Sequence, residues 1–441
     1  MHRQRRFARA IFLAVAIALS AHTAFAQPPQ LDDSHRRAVI EKTIALVGAN
    51  YVFPEQAKHV GVELRKNERA GNYKADGTMD EFLEHLNRDL QTAGRDKHLK
   101  VQNNPRVVAE LAREAEGKEE VAPAFLSMLT ENNFRLRRVE SLDGNIGYFK
   151  FDNFVELRFV KDGFVGAMNF LHYSSALILD LTDNGGGASE TSDFLISYFL
   201  PEGTRVGETW SRTTNETKPS IVARAPEVKP MTETPLVILV GERTASAAEA
   251  VAYTLQQAKR AVIVGSRTKG LANPGRLFPI DDQLFLMVPT NLHRNAVSGT
   301  NWEGVGVVPE IAVAPDRAFP AAMVTALHAA ADRKADAKEQ YRLRFLAQEY
   351  AAAVSPESAP PGFLEACVGN YEEGRTIELQ GDALHFKLED TDRRLSYMAD
   401  NTFTVDGRKD YRIQFDVEKG LATGFRVLWF DDTEERYGRT R

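Results

Sequence analysis

Residues Thr234 to Ala258 read TPLVILVGERTASAAEAVAYTLQQA. Leu236 to Val240 is an unbroken apolar run of strand length, the pattern of a strand covered on both faces, as in an α/β sheet. Past Gly241 the composition turns helical from Ala245 to Ala258, with Ala, Glu, Leu and Gln throughout. Ser246 therefore stands where a strand end hands over to a helix N-terminus. Its alanine neighbours leave the hydroxyl approachable, and the free amides of a first helical turn favour an anion beside it. Two readings of Ser246 stay open on this stretch alone: a nucleophile, or, with Glu249 three residues on, the start of an S-x-x-E capping box.

The rest of the chain bounds the choice. With 441 residues it can bury large cores and divide into two or three domains. Hydrophobic residues make up 43% and charged residues 26%, a soluble globular composition. A net charge of -6 gives no support to a nucleic-acid or anionic-membrane partner. Cys367 is the single cysteine, which excludes a disulfide framework or a cysteine zinc site and reads as a small core residue. Arg3 to Arg9 holds four arginines, Ala10 to Ala21 is apolar, and Ala24-Phe25-Ala26 matches a small-x-small cleavage site. Residues 1–26 thus read as a signal peptide, the alternative being a short uncleaved anchor. No later stretch is long enough to span a bilayer. The expectation is a periplasmic or secreted protein.

In order, residues 31–101 form a helical domain, with apolar spacing at Val39, Ile40, Ile44, Val47 and at Phe82, Leu83, Leu86, Leu90. Residues 102–316 form an α/β core, because strand-like and helix-like runs alternate from 145 to 265, as in parallel crossover units. Leu284 to Pro289 adds a later strand. Residues 317–361 read as one or two exposed helices and a linker, SPESAPP. Residues 362–441 hold short strand-like runs divided by Gly, Asp and Asn, the spacing of an antiparallel all-β module such as a small barrel. Phe403, Tyr411, Phe415 and Trp429 are expected in its core rather than on a carbohydrate platform.

Chemistry-bearing residues lie at intervals. Asp180 to Gly187, DLTDNGGG, ends a buried strand with three glycines. They suit either a plain turn or a backbone whose N–H groups converge on an oxyanion. His98 follows the helical domain in DKH, and Glu303 lies in NWEGVGVVP. Each could equally be a surface residue. Taken together and in this order, the segments Asp180–Gly187, Thr244–Glu249, Glu303–Pro309 and Asp96–His98 resemble the C-terminal processing (tail-specific) serine peptidases. The likeness points to the branch of the tricorn core and the interphotoreceptor retinoid-binding protein-like modules, and covers roughly residues 31 to 315. It implies a ClpP/crotonase-like core sheet and acyl-enzyme hydrolysis of peptide or protein substrates without metal or cofactor. By the same likeness Ser246 is the nucleophile, His98 the general base and Glu303 the acid that orients it. The amide of Gly186 or Gly187 would pair with that of Ala247 as the oxyanion hole.

Two departures qualify the resemblance. Bacterial and plastid tail-specific enzymes carry a lysine about 25 positions after the serine, where this chain has Leu271; Lys269 lies two residues early. Leu99 to Ser141 is also too short, and wrongly patterned, for the family's PDZ domain. An alternative is therefore a non-catalytic carrier of apolar ligands on the same fold. A third reading, an esterase, lacks a G-x-S-x-G elbow near Ser246.

Overall fold

The structure is a computed structural model that describes residues 32–117 and 122–440, so the expected signal peptide lies outside the described residues. The chain opens with helices α1 (Asp33–Asn50), α2 (Pro54–Arg69) and α3 (Met79–Gly94), followed by strand β1 (Lys100–Asn103), α4 (Pro105–Ala115) and α5 (Pro123–Thr130). Next come β2 (Leu136–Leu142), β3 (Ile146–Phe151), α6 (Leu157–Phe170), β4 (Ala176–Asp180) and α7 (Ser189–Ile196). A hairpin, β5 (Arg205–Ser211) and β6 (Glu216–Ile221), precedes β7 (Leu236–Val240), α8 (Ala247–Gln257) and β8 (Ala261–Gly265). Strands β9 (Gly275–Pro279), β10 (Leu284–Pro289), β11 (Asn291–Asn295) and β12 (Ile311–Ala312) lead to α9 (Pro315–Ala331) and α10 (Ala337–Val354).

The central six-stranded sheet has the order β12-β8-β7-β4-β3-β2, with only the β2–β3 pair antiparallel. Both faces are covered, which is why β4 and β7 are buried at every position. Side chains alternate across the sheet. Leu236, Ile238 and Val240 pack with α6, α7 and α8, whereas Val237 and Leu239 pack with α9. Each buried aliphatic stabilises the fold by roughly 1.5–3 kcal/mol. Because β4 and β7 are parallel neighbours, the glycine loop after Asp180 and the turn after Val240 emerge side by side at the C-terminal edge. In open α/β sheets that edge is where sites form.

One expectation changes. Helix α9 is not exposed: Ala318, Ala321, Ala322, Ala326 and Ala330 are buried against the sheet, since alanine lets a helix approach strands closely. Strand β10 does not join the central sheet. It lies between β1 and β9 in a three-stranded sheet whose Leu284, Leu286 and Val288 share a core with α1 to α3.

The tail begins with α11 (Phe363–Cys367) and continues through eight strands: β13 (Gly369–Tyr371), β14 (Arg375–Gln380), β15 (Ala383–Leu388), β16 (Thr391–Ala399), β17 (Thr402–Val405), β18 (Arg408–Glu418), β19 (Leu421–Trp429) and β20 (Glu434–Gly438). They pair antiparallel in sequence order, and the Tyr371–Arg439 bridge with the Thr440 N–H to Asn370 bond nearly closes the sheet into a barrel. Phe403, Tyr411 and Phe415 fill its interior and Trp429 packs against them. Cys367 is fully buried there, and burial pushes its thiol up to about 12. Buried Arg412 joins barrel to core, stacking 3.9 Å over Phe345 and donating to the Phe345 carbonyl and to Gln348.

Candidate active site

Ser246 is the N-cap of α8 and has φ 53°, ψ -118°. A β-carbon makes such a backbone costly, on the order of 1–3 kcal/mol, so its surroundings must impose it. The bonds that do so are present. Thr244 donates its hydroxyl to the Leu181 carbonyl (2.7 Å) and accepts from the Gly241 N–H (2.9 Å). The Ala245 N–H donates to the Asn184 carbonyl (3.0 Å), tying the serine turn to the glycine loop. Fully buried Glu249 accepts from the N–H groups of Ser246 (2.8 Å), Gly270 (2.6 Å) and Leu271 (2.8 Å) and from the Thr268 hydroxyl. Burial raises the Glu249 carboxyl above its ordinary value, and these donors oppose the shift. The capping box and the exposed-hydroxyl turn are thus one structure, not rivals.

The glycines press directly on this turn. At Gly186 (φ 94°) an added Cβ would lie 2.7 Å from both the Ala245 carbonyl oxygen and the Ser246 Cβ. At Gly187 (φ 137°) it would lie 2.2 Å from the Phe154 carbonyl oxygen. Sequence left either glycine as an oxyanion donor. In the structure the Gly186 N–H is already spent on Asn184 Oδ1 (2.9 Å). The N–H groups of Gly187 and Ala247 donate to no group among the described residues, and both residues line one cleft of about 160 Å³ with Ser246.

His98 sits in the loop between α3 and β1 and is 6% exposed. Neither ring nitrogen makes a hydrogen bond, so the imidazole and the Ser246 hydroxyl are not bonded to each other here. Asp96 accepts from the His98 backbone N–H (2.8 Å) and from the Tyr51 hydroxyl (3.1 Å), and its Oδ1 lies 3.6 Å from His98 Nδ1. Glu303 accepts from the N–H groups of Ala272 (2.7 Å) and Asn273 (3.2 Å). Polar atoms of Asp96, His98 and Glu303 all lie within 4.8 Å of one another. Burial, then the Asp96 charge, pushes the Glu303 carboxyl upward, and His98 partly offsets this. Such a trio could ligate a divalent cation, but both carboxylates are already engaged by protein donors.

The two halves meet through residues 268–273. Glu249 holds the amides of Gly270 and Leu271 from the serine side, and Glu303 holds those of Ala272 and Asn273 from the histidine side. Lys97, beside His98, donates to the Lys269 carbonyl (3.4 Å). The Lys269 side chain is exposed and does not line the cleft, while Leu271 is buried.

Glu249 entered the sequence reading only as a helix cap, and other residues escaped it. Asn184 orients the loop, Glu249 clamps the turn, and His293 and Asp193 line the cleft. His293 lies 3.3 Å from the Thr209 hydroxyl, and burial lowers its pKa, keeping it neutral. Only Glu249 carried a signal, the S-x-x-E spacing.

Residues 145–313 match the peptidase family S41, and residues 33–141 match the N-terminal domain of that family in eukaryotic IRBP. Carboxyl-terminal-processing peptidase 1, chloroplastic, of Arabidopsis thaliana is 34% identical over 142 residues, covering 32% of this chain and 28% of the relative. The carboxy-terminal-processing protease of Bartonella bacilliformis is 28% identical over 179 residues, covering 39% of each. The chain therefore spans well under half the length of these relatives. Among solved structures, the photosystem II D1 C-terminal processing protease aligns over 64% of this chain and 94% of its own, with 15% identity and a TM-score of 0.40. The tricorn protease aligns over 64% and 34%, with 14% identity and a TM-score of 0.39. Matched in order by its N-terminal and peptidase segments, the chain belongs to peptidase family S41.

Proposed function

We propose that this chain is an exported serine peptidase that cleaves peptide bonds through an acyl-enzyme, with Ser246 as nucleophile, His98 as general base and Glu303 as the acid that orients the imidazole. One observation carries the reading: a serine held in a left-handed turn shares a cleft with two unspent backbone donors, Gly187 and Ala247. A serine hydroxyl needs a base at neutral pH, and an imidazole supplies one. His98 takes the proton as the oxygen attacks, and the Gly187 and Ala247 N–H groups receive the developing oxyanion. His98 then returns the proton to the leaving amine, and water repeats the sequence to release the acid. The Ser246–His98 hydrogen bond is absent in the free protein and forms as substrate enters, as such bonds commonly do.

Residues 1–26 act as a cleaved leader in this reading, 31–101 as the helical domain, 102–316 as the peptidase core and 362–441 as an accessory barrel. Among the described residues no helix is long and apolar enough to cross a membrane. The carrier alternative is disfavoured by the unspent Gly187 and Ala247 amides beside Ser246, since an apolar ligand has no use for two such donors. A fluorophosphonate probe tests the proposal. Labelling at Ser246, abolished in Ser246→Ala together with peptide cleavage, is expected; an unlabelled native protein that cuts no peptide would refute it.

A further inference from the structure

The cleft holding Ser246 continues past the unspent amides between α7 and α8. Ser246 and Thr254 both line it, eight residues apart on one helix, so it runs about 12 Å along α8. On the facing helix Ser189, Ser192, Asp193 and Ile196 line it. Asp193 lies four residues, or about 6 Å, beyond Ser189 in the direction leading away from Gly187. Its carboxylate makes no hydrogen bond or ion pair among the described residues. Arg224, which lines an adjoining depression that Asp193 also reaches, spends its guanidinium on the carbonyls of Ser197 and Leu200. The other titratable residue in the cleft is His293, kept neutral by burial.

We infer that this pocket selects a lysine or arginine side chain on the substrate residue whose carbonyl Ser246 attacks, with Asp193 pairing the cation. The inference rests on the peptidase reading and deepens it by naming the substrate class. A carboxylate without a partner on the wall of a cleft is complementary to a cation; Asp193 keeps a solvent-exposed edge there while the protein atoms crowding it push its acid up to about 6. The depth suits the ligand, since a lysine or arginine stem spans roughly 6–7 Å from its Cα to its charge. Apolar neighbours Ile196, Val206 and Ala250 would cover that stem, and the hydroxyls of Ser192 and Ser220 lie in the same lining.

The test compares kcat/KM for a peptide series that varies only the residue before the scissile bond, Lys and Arg against norleucine. The native protein should prefer the cations about 10- to 100-fold, the range of a charge-assisted hydrogen bond. Asp193→Asn should collapse that ratio and Asp193→Glu should retain much of it. Ser246-dependent cleavage with a ratio near one, or a ratio unmoved by Asp193→Asn, overturns the inference while leaving the peptidase reading intact. If no peptide is cut, the peptidase reading fails, and benzamidine binding to native protein and Ser246→Ala, followed by NMR, still decides on the pocket. Binding lost in Asp193→Asn upholds a cation-selective cleft; no binding overturns it.

Discussion

Glu249→Gln probes the serine turn with almost no change of shape. The native carboxylate takes four donors, Thr268 and Gly270 on one oxygen and Ser246 and Leu271 on the other. The better amide orientation turns its NH2 toward Thr268, whose hydroxyl already accepts from the Val307 N–H (2.6 Å) and can rotate to accept again. The Gly270 N–H is then stranded in the interior, and the remaining bonds lose their charge assistance. A stranded buried donor costs roughly 1–3 kcal/mol, and each weakened bond adds several tenths, so the total is about 2–4 kcal/mol. Relief from burying a charge trims the loss without cancelling it, because the native carboxylate is fully satisfied. For a chain of this size such a loss lowers Tm by on the order of 2–4 °C. Calorimetry at pH 7 with parallel fluorophosphonate labelling reads both consequences: a lower Tm and slower labelling at Ser246. A variant within a degree of native, labelled at the native rate, would refute the argument that this carboxylate imposes the turn.

Gly186→Ala should fold yet lose about 100-fold in peptide turnover, because its methyl contacts the Ser246 Cβ at 2.7 Å and a displacement near 1 Å is worth that much; steady-state kinetics checks it. Glu303→Gln should abolish activity while raising stability at neutral pH. The raised carboxyl of Glu303 means that folding binds protons, so the native protein forfeits stability as pH climbs from about 4.5 through the folded-state value; the Tm gap between variant and native should open across that window and vanish below it. Arg412→Ala strands the Phe345 carbonyl and Gln348 and should cost about 2–3 kcal/mol, seen as an earlier melting transition; an unchanged transition would show that the barrel does not depend on this anchor.

The local handovers were legible because each depends on nearby residues. The apolar run 236–240 before alanine-rich 247–257 marks strand, turn and helix, and the Gly, Asp and Asn between the tail's short runs mark its hairpins. Long-range pairing was not. LFLMVP at 284–289 fits a central strand as well as one set against helices, and only its distant partner β1, whose Lys100 stands opposite Met287, decides which. Strands β5, β6 and β11, which wall the cleft, are short and largely polar, and Pro219 sits on the edge strand β6, so no alternation announces them. Within the site, Ser246 and the glycines could be named from sequence, but which glycine amide stays free depends on the Asn184 side chain, and the role of Asp96 depends on Tyr51 and a folded loop.

The segment linking the serine turn to the histidine loop is gripped almost entirely by its main chain: Glu249 and Glu303 each seize peptide N–H groups, leaving the side chains of residues 270, 271 and 272 out of the bargain. The main-chain grip itself asks only for a peptide N–H, so the identities at 271 and 272 are set by their burial and not by the link. Mutational scanning of this stretch should thus accept apolar residues of fitting size at 271 but punish proline, which alone removes the handhold.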